Sequence, residues 1–183
     1  MRLTTGLVVS LFSICVHAET RHAETHVHGL NHVQIVLDGT TLQVNYEFPI
    51  AQLQEHDEHK HDEPKAHGNK NDQSPTLSET EVKDKVTISE LIRLPEDAEC
   101  VGINAVYLVR NAVADGRSAE ESGHKDVVIE ATLKCEQPDK VNSLDFAPAF
   151  NKFDDLEKIE VEGMVGNRPL SDTLSRKRAS TSI

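Results

Sequence analysis

Apolar and polar residues alternate in two adjacent stretches near the front of the chain. Val33, Ile35 and Leu37 take every second position. Asp38-Gly39 then marks a tight turn, and Leu42, Val44, Tyr46 and Phe48 alternate again up to Pro49. A period of two is what a half-buried strand requires, so these residues predict a hairpin with one buried face and one wet face. Pro49 cannot donate to a ladder and ends the second strand. Ser78-x-x-Glu81 has the form of a capping box, and the stripe Val82, Val86, Ser89, Ile92 predicts a helix from about Glu79 to Arg93, stopped by Pro95.

Alternation returns in the second half. Ile103, Ala105, Tyr107 and Val109 predict a strand within 100–112, and Val127, Ile129, Ala131 and Leu133 predict another. A charged loop with Gly and Ser joins them over 114–123. A Pro-bounded segment with Phe146, Phe150 and Phe153 predicts a short helix, followed by a strand near 158–164. The order β-β-loop-α, then β-loop-β-α-β, suggests an α+β single domain with antiparallel strands, few helices and a ββα-type pseudo-duplication. Two segments stand outside it. Residues 54–75 are poor in apolar residues and rich in charge, Asn, Pro and His, which predicts a disordered insertion. Residues 175–183, S-R-K-R-A-S-T-S-I, predict a basic disordered tail, leaving 19–174 as the folded domain.

The first eighteen residues read as a cleaved secretory signal. Arg2 gives the basic start, residues 7–16 the apolar stretch, and Val16-His17-Ala18 a small-residue cleavage site that leaves Glu19 first. The apolar run is too short to span a bilayer, which argues against membrane insertion. Cys15 raises lipidation, but Phe12 and Ile14 are poor neighbours for it. Cleavage leaves Cys100 and Cys135. In an oxidising compartment a disulfide is the default for an even pair, adding ~3 kcal/mol through the unfolded state. Service as metal ligands is the alternative.

Charge narrows the partners. The whole chain carries −12, and loss of Arg2 makes the exported form −13. Such a surface repels nucleic acid and anionic lipid and attracts cations. With aromatic residues at 4% and no Trp, little is available for stacking on bases or sugars.

The cation-binding chemistry lies in the histidines. His22, His26, His28 and His32 form one group, and His56, His59, His61 and His67 another, threaded with carboxylates. Imidazole with carboxylate and without thiolate suits zinc and its neighbours in the divalent series. His26, His28 and His32 share parity on the first strand, opposite to Val33, Ile35 and Leu37. Residues two apart on a strand are ~6.5–7 Å apart, near enough for two imidazoles to tilt toward one ion. His124 and Asp126 share parity at the start of a later strand. If the halves are related by a pseudo-twofold, His26, His28, His124 and Asp126 make a tetrahedral N/N/N/O set for Zn2+, with His32 in reserve. Asp126 could instead orient an imidazole through its free N–H. The loop histidines have irregular spacings and fit neither a zinc finger nor H-E-x-x-H. A flexible tract of that kind binds weakly, because ordering it costs ~1–2 kcal/mol per residue, and it suits ion capture.

Four stretches carry a family resemblance. H-V-H-G-L-N-H-V-Q-I-V-L-D-G-T-T-L-Q-V resembles the opening of the zinc-regulated periplasmic family typified by ZrgA, and G-H-K-D-V-V-I-E-A-T-L-K-C resembles its second-half strand. L-I-R-L-P-E-D-A-E-C is similar to that family's link from helix to cysteine, and D-F-A-P-A-F-N-K-F-D-D-L-E-K-I-E-V to its aromatic C-terminal segment. The resemblance implies a periplasmic zinc-binding protein of a Gram-negative bacterium that assists zinc uptake under zinc limitation. It also implies a core site of histidines and an acidic residue, carried over onto His26, His28, His124 and Asp126, with His-rich disordered segments. A periplasmic solute-binding protein or an ABC zinc importer is the implied partner. The chain departs from the family in two places: 114–123 lacks a His-rich run, and the segment after Phe48 lacks an aromatic-acidic-histidine pattern.

Other functions are weaker. A small zinc hydrolase would need an open metal position with a base such as Asp126 or Glu24. There is no H-E-x-x-H, no nucleophile elbow and little apolar pocket lining, so the sequence does not read as an enzyme. A nickel or copper(II) carrier shares the imidazole chemistry. Met164 alone in the exported chain argues against a Cu(I) carrier.

Overall fold

The computed structural model describes residues 29–53, 77–111 and 125–183. The predicted hairpin is β1 (Leu30–Asp38) and β2 (Thr41–Pro49), in antiparallel register with Asp38 opposite Thr41. Gly39, at φ +54°, supplies the left-handed backbone that closes so short a connection. Val33, Ile35, Leu42, Tyr46 and Phe48 are essentially fully buried, while positions 32, 34, 36 and 38 face outward.

β3 (Cys100–Asn111) and β4 (Lys125–Cys135) form a second antiparallel pair, and β4 lies against β2. β6 (Lys158–Val165) joins β1 in parallel, and β7 (Arg168–Ser175) completes a mixed sheet of order β3-β4-β2-β1-β6-β7. A small second sheet pairs β5 (Ser143–Asp145) with β8 (Ser180–Ser182). The inner face of the large sheet packs on α1 (Glu79–Lys85), α2 (Ala147–Lys152) and the turns around them. This places Phe146, Phe150 and Phe153 in the core, with Phe153 5.1 Å from the ring of Phe48.

The α+β, ββα-duplicated reading is therefore overturned. The protein is β-rich with only two short helices among the described residues. The hairpins β1–β2 and β3–β4 do lie side by side, but the second half goes on to β5, α2, β6, β7 and β8, and β6 inserts parallel beside β1. Nor are the strands all antiparallel.

The expected helix to Arg93 ends at Lys85. Val86 is extended at φ −150°, ψ 140°, and the Thr87 backbone N–H donates to the Glu90 carboxylate at 2.8 Å, opening a separate 3-10 turn over Ile88–Glu90. A second S/T-x-x-E cap inside the predicted helix divides it. Lys152 ties the break to α2, donating to the Lys85 carbonyl at 2.7 Å and to Glu90 at 2.8 Å.

The tail predicted to be disordered is folded. Arg178 donates to both carboxylate oxygens of Asp172 at 2.8 and 2.9 Å, Arg176 lies over the Phe150 ring, and the Ile183 N–H bonds to the Asn142 carbonyl. Arg176 and Arg178 have specific partners, a pattern that composition alone does not reveal. The insertion at 54–75 lies within 54–76, outside the described residues.

Candidate metal centre

β1 and β4 are both antiparallel to β2, so they run parallel to each other and begin at the same end of the sheet. β2 and β3 finish there. This end is built from Gly29 and Leu30, Pro49 and the turn Ile50–Leu53, Asn111, and Lys125 with Asp126. The expected meeting of the two strand starts thus arises from a shared neighbour in β2, not from a pseudo-twofold. Each strand step is ~4.8 Å, so the starts of β1 and β4 lie roughly 10 Å apart across β2.

Asp126 is the buried carboxyl group at this end. It is the second residue of β4, opposite Pro49 on one side and Arg110 on the other, and only 4% exposed. Its parity puts it on the outer face, with Val128 and Glu130, away from the core-facing Val127 and Ile129. Burial pushes its carboxyl up to about 7, and the nearby Glu47 carboxylate adds to the rise. A buried carboxyl beside another carboxylate disfavours its own charged form. A cation would relieve that conflict and lower the pKa again.

His32 shares the outer face one row further along. It is opposite Glu47 in β2 and Glu160 in β6, and its Nδ1 lies 3.4 Å from the Glu160 carboxylate. Its side chain is 46% exposed. Glu160, His32 and Glu47 therefore form one row across β6, β1 and β2, and Asp126 stands diagonally beyond Glu47. Among the described residues no three His, Cys, Asp or Glu side chains already converge on one point. The row supplies charge and one imidazole, not a formed cage.

His26, His28, His124, His56, His59, His61 and His67 lie outside the described residues. Their attachment points do not. His28 directly precedes Gly29, His124 directly precedes Lys125, and the segment with His56 to His67 leaves from Leu53. All three join the sheet at the end that holds Asp126 and His32. Two amides at this end add polar capacity: Asn31 Oδ1 and the Gln52 side-chain amide are buried and have no hydrogen-bond partner among the described residues. Asn31 uses its nitrogen to donate to the Tyr46 hydroxyl at 3.1 Å.

The cysteines are not ligands. Cys100 and Cys135 are bonded to each other as a facing pair of β3 and β4. They close the opposite end of the sheet, about 30 Å from Asp126 at ~3.4 Å per residue. Sequence reasoning also missed Glu47 and Glu160. Glu47 falls between Tyr46 and Phe48 on the polar parity of β2, a usable signal. Glu160 meets His32 only through the parallel pairing of β1 with β6, and no local pattern announces that.

Residues 25–183 match the family model described as ZrgA family zinc uptake protein. The chain belongs to the ZrgA family. A comparison with curated proteins finds no match. Membership assigns this ZrgA-family protein to zinc uptake, a family that is not one of enzymes. Membership thus associates the chain with zinc. The donor set at the histidine end, imidazole with carboxylate, has the right chemistry for that ion. No helix among the described residues is long and apolar enough to cross a membrane.

Proposed function

We propose that this protein is a periplasmic zinc buffer and chaperone, holding zinc in one tight site and delivering it toward an importer, directly or through a solute-binding protein. The tight site combines His26, His28 and His124 with Asp126, and His32 stands in reserve beside Glu160. The histidines of residues 54–68 form a weaker collecting tract. One observation carries the reading: the segments bearing His26, His28, His56 to His67 and His124 all join the sheet at the end where Asp126 is buried with a raised pKa. His32 lies on β1 at that same end.

Division of labour follows from order. A carboxylate fixed in a strand loses little conformational freedom on binding, whereas a long polar tract must be ordered at ~1–2 kcal/mol per residue. Tight binding therefore belongs to the sheet end and capture to the tract. Both should release zinc on mild acidification, because the ligands must be deprotonated.

The test is a calorimetric zinc titration of metal-stripped protein from Glu19 to Ile183. It is repeated with residues 54–68 deleted and with His26→Ala/His28→Ala. One tight event should survive the deletion, while weaker events are lost. The double substitution should remove the tight event and spare the weak ones. A tight event that disappears with the deletion, or persists in the double variant, would overturn the assignment.

A further inference from the structure

The two edges of the large sheet are built differently. β7 is blunted: Arg168 and Pro169 open it, Pro169 has no N–H to offer, and the Asp172–Arg178 pair folds the following turn back against it. β3 carries none of these devices. From Cys100 through Val109 it reads C-V-G-I-N-A-V-Y-L-V, with no charge, in a chain of net charge −12. Val101, Ile103 and Val106 are 67%, 63% and 40% exposed, three of the five large apolar residues left on the surface among the described residues. Among the described residues β3 has β4 on one side and no strand on the other. A long, uncharged, apolar edge of this kind is a template for strand pairing.

We propose that β3 is the interface of a symmetric dimer, pairing antiparallel with β3 of a second copy about a twofold perpendicular to the sheet. The strand is self-complementary in that arrangement. Ala105 falls on the axis, opposite its own copy, and Val106 meets Asn104 of the second copy. β3 has a one-residue irregularity between Gly102 and Asn104, where Ile103 is extra. Crossing it shifts the register by one, so Leu108 faces Val101 of the second copy on the outer face. The same shift brings Arg110 against Glu99 of the second copy at both ends. Among the described residues Arg110 makes an exposed 3.3 Å contact with Glu130, and its guanidinium is 55% exposed and able to share a second carboxylate. Val106 against Asn104 apart, apolar residues on the outer face thus meet apolar ones and the flanking charges are opposite, whereas most of this acidic surface would repel itself. The twofold reverses β3, so the two histidine ends point to opposite extremes of a continuous twelve-stranded sheet. Neither copy obstructs the other's zinc site.

Sedimentation of oxidised protein from Glu19 to Ile183, with chelator present, tests this over micromolar to submillimolar concentrations. The wild type should show a monomer–dimer equilibrium. Val101→Lys with Ile103→Lys should weaken it at least about tenfold by placing charges in the interface, and thermal melting should be unchanged because both positions are exposed. Ala105→Cys should give a disulfide-linked dimer under mild oxidation, while Ser171→Cys on the β7 edge should not. A wild type that stays monomeric overturns the proposal. So does a dimer that ignores the lysines and fails to cross-link at 105. Dimerisation that appears only after deleting residues 54–68 also overturns it, because the edge would then be covered by the chain's own segment.

Discussion

Asp126 to Asn should make the metal-free protein more stable and a worse zinc binder. The carboxyl titrates at about 7 in the fold against 3.8 ordinarily, a rise caused first by burial and then by Glu47. Below pH ~4 folded and unfolded forms both hold the proton, and the group contributes nothing. Between ~4 and ~7 the unfolded chain ionises while the folded one does not. Folding stability therefore falls as pH rises, by about 1.4 kcal/mol per pH unit, and above ~7 the cost stays constant. The full window corresponds to ~4 kcal/mol. Solvent screening and relaxation around Arg110, His32, Glu47 and Glu160 reduce it, and ~1–3 kcal/mol is the expected gain for Asn at pH 8. That is roughly 3–10 °C in melting temperature for a domain of this size. Urea denaturation of both proteins in chelator at pH 4.5 and 8 gives the quantity directly, since other carboxylates cancel in the difference. The gap at pH 4.5 should be about a quarter of its size at pH 8. Zinc affinity of the variant should fall by about tenfold or more, because a neutral amide is a poor replacement for an anionic oxygen ligand. A variant less stable than wild type at pH 8, or one with unchanged zinc affinity, would refute the reasoning.

Two further outcomes separate the architecture from the site. Reducing the Cys100–Cys135 bridge should cost ~2–4 kcal/mol of stability yet leave the tight zinc affinity within about twofold, because the bridge closes the far end of the sheet; affinity that falls with the bridge would place the thiols near the metal. Arg178 holds the Asp172 carboxyl down at about 2, below its ordinary 3.8. The stability this pair contributes is complete above pH ~4 and is lost as pH falls toward 2. Arg178→Gln should therefore flatten the acid limb of a melting-temperature profile, and an unchanged limb would show the pair to be idle.

The sheet's middle strands were legible because their buried residues alternate within a short span. The β1–β2 hairpin, β4 and β6 announce themselves this way; β3 was found by the same alternation, although it is an edge strand on which only Tyr107 is buried and Ile103 is displaced by the register shift. β7 does not: its buried residues, Leu170 and Leu174, stand four apart beside a proline, as suits an edge strand wetted on one side. β8 is polar, and it is its pairing with β5, flanked by backbone bonds to Phe146 and Asn142, that makes it a strand. The helix boundary was readable in Thr87-x-x-Glu90 once that cap is weighed against the first. Of the site, Asp126 and His32 could be picked out by parity alone, and the structure adds that Asp126 is buried and that Glu47 and Glu160 flank His32. The parallel β1–β6 contact lies beyond any local pattern.

That contact sits at an unusually close approach. A Cβ at Gly163 would lie 1.8 Å from the Ile35 carbonyl oxygen, so the two backbones meet where only glycine fits. β1 is the first strand of the sheet to be synthesised and β6 nearly the last, and Leu30 has no neighbour on that side until Lys158 arrives. A chain cut short before β6 would leave β1, the strand that follows His26 and His28, paired on one side only. Under the proposed zinc-holding role, loss of β6 would weaken a site whose N-terminal histidines lie more than a hundred residues earlier in the sequence, and clipping after Val165 would spare it.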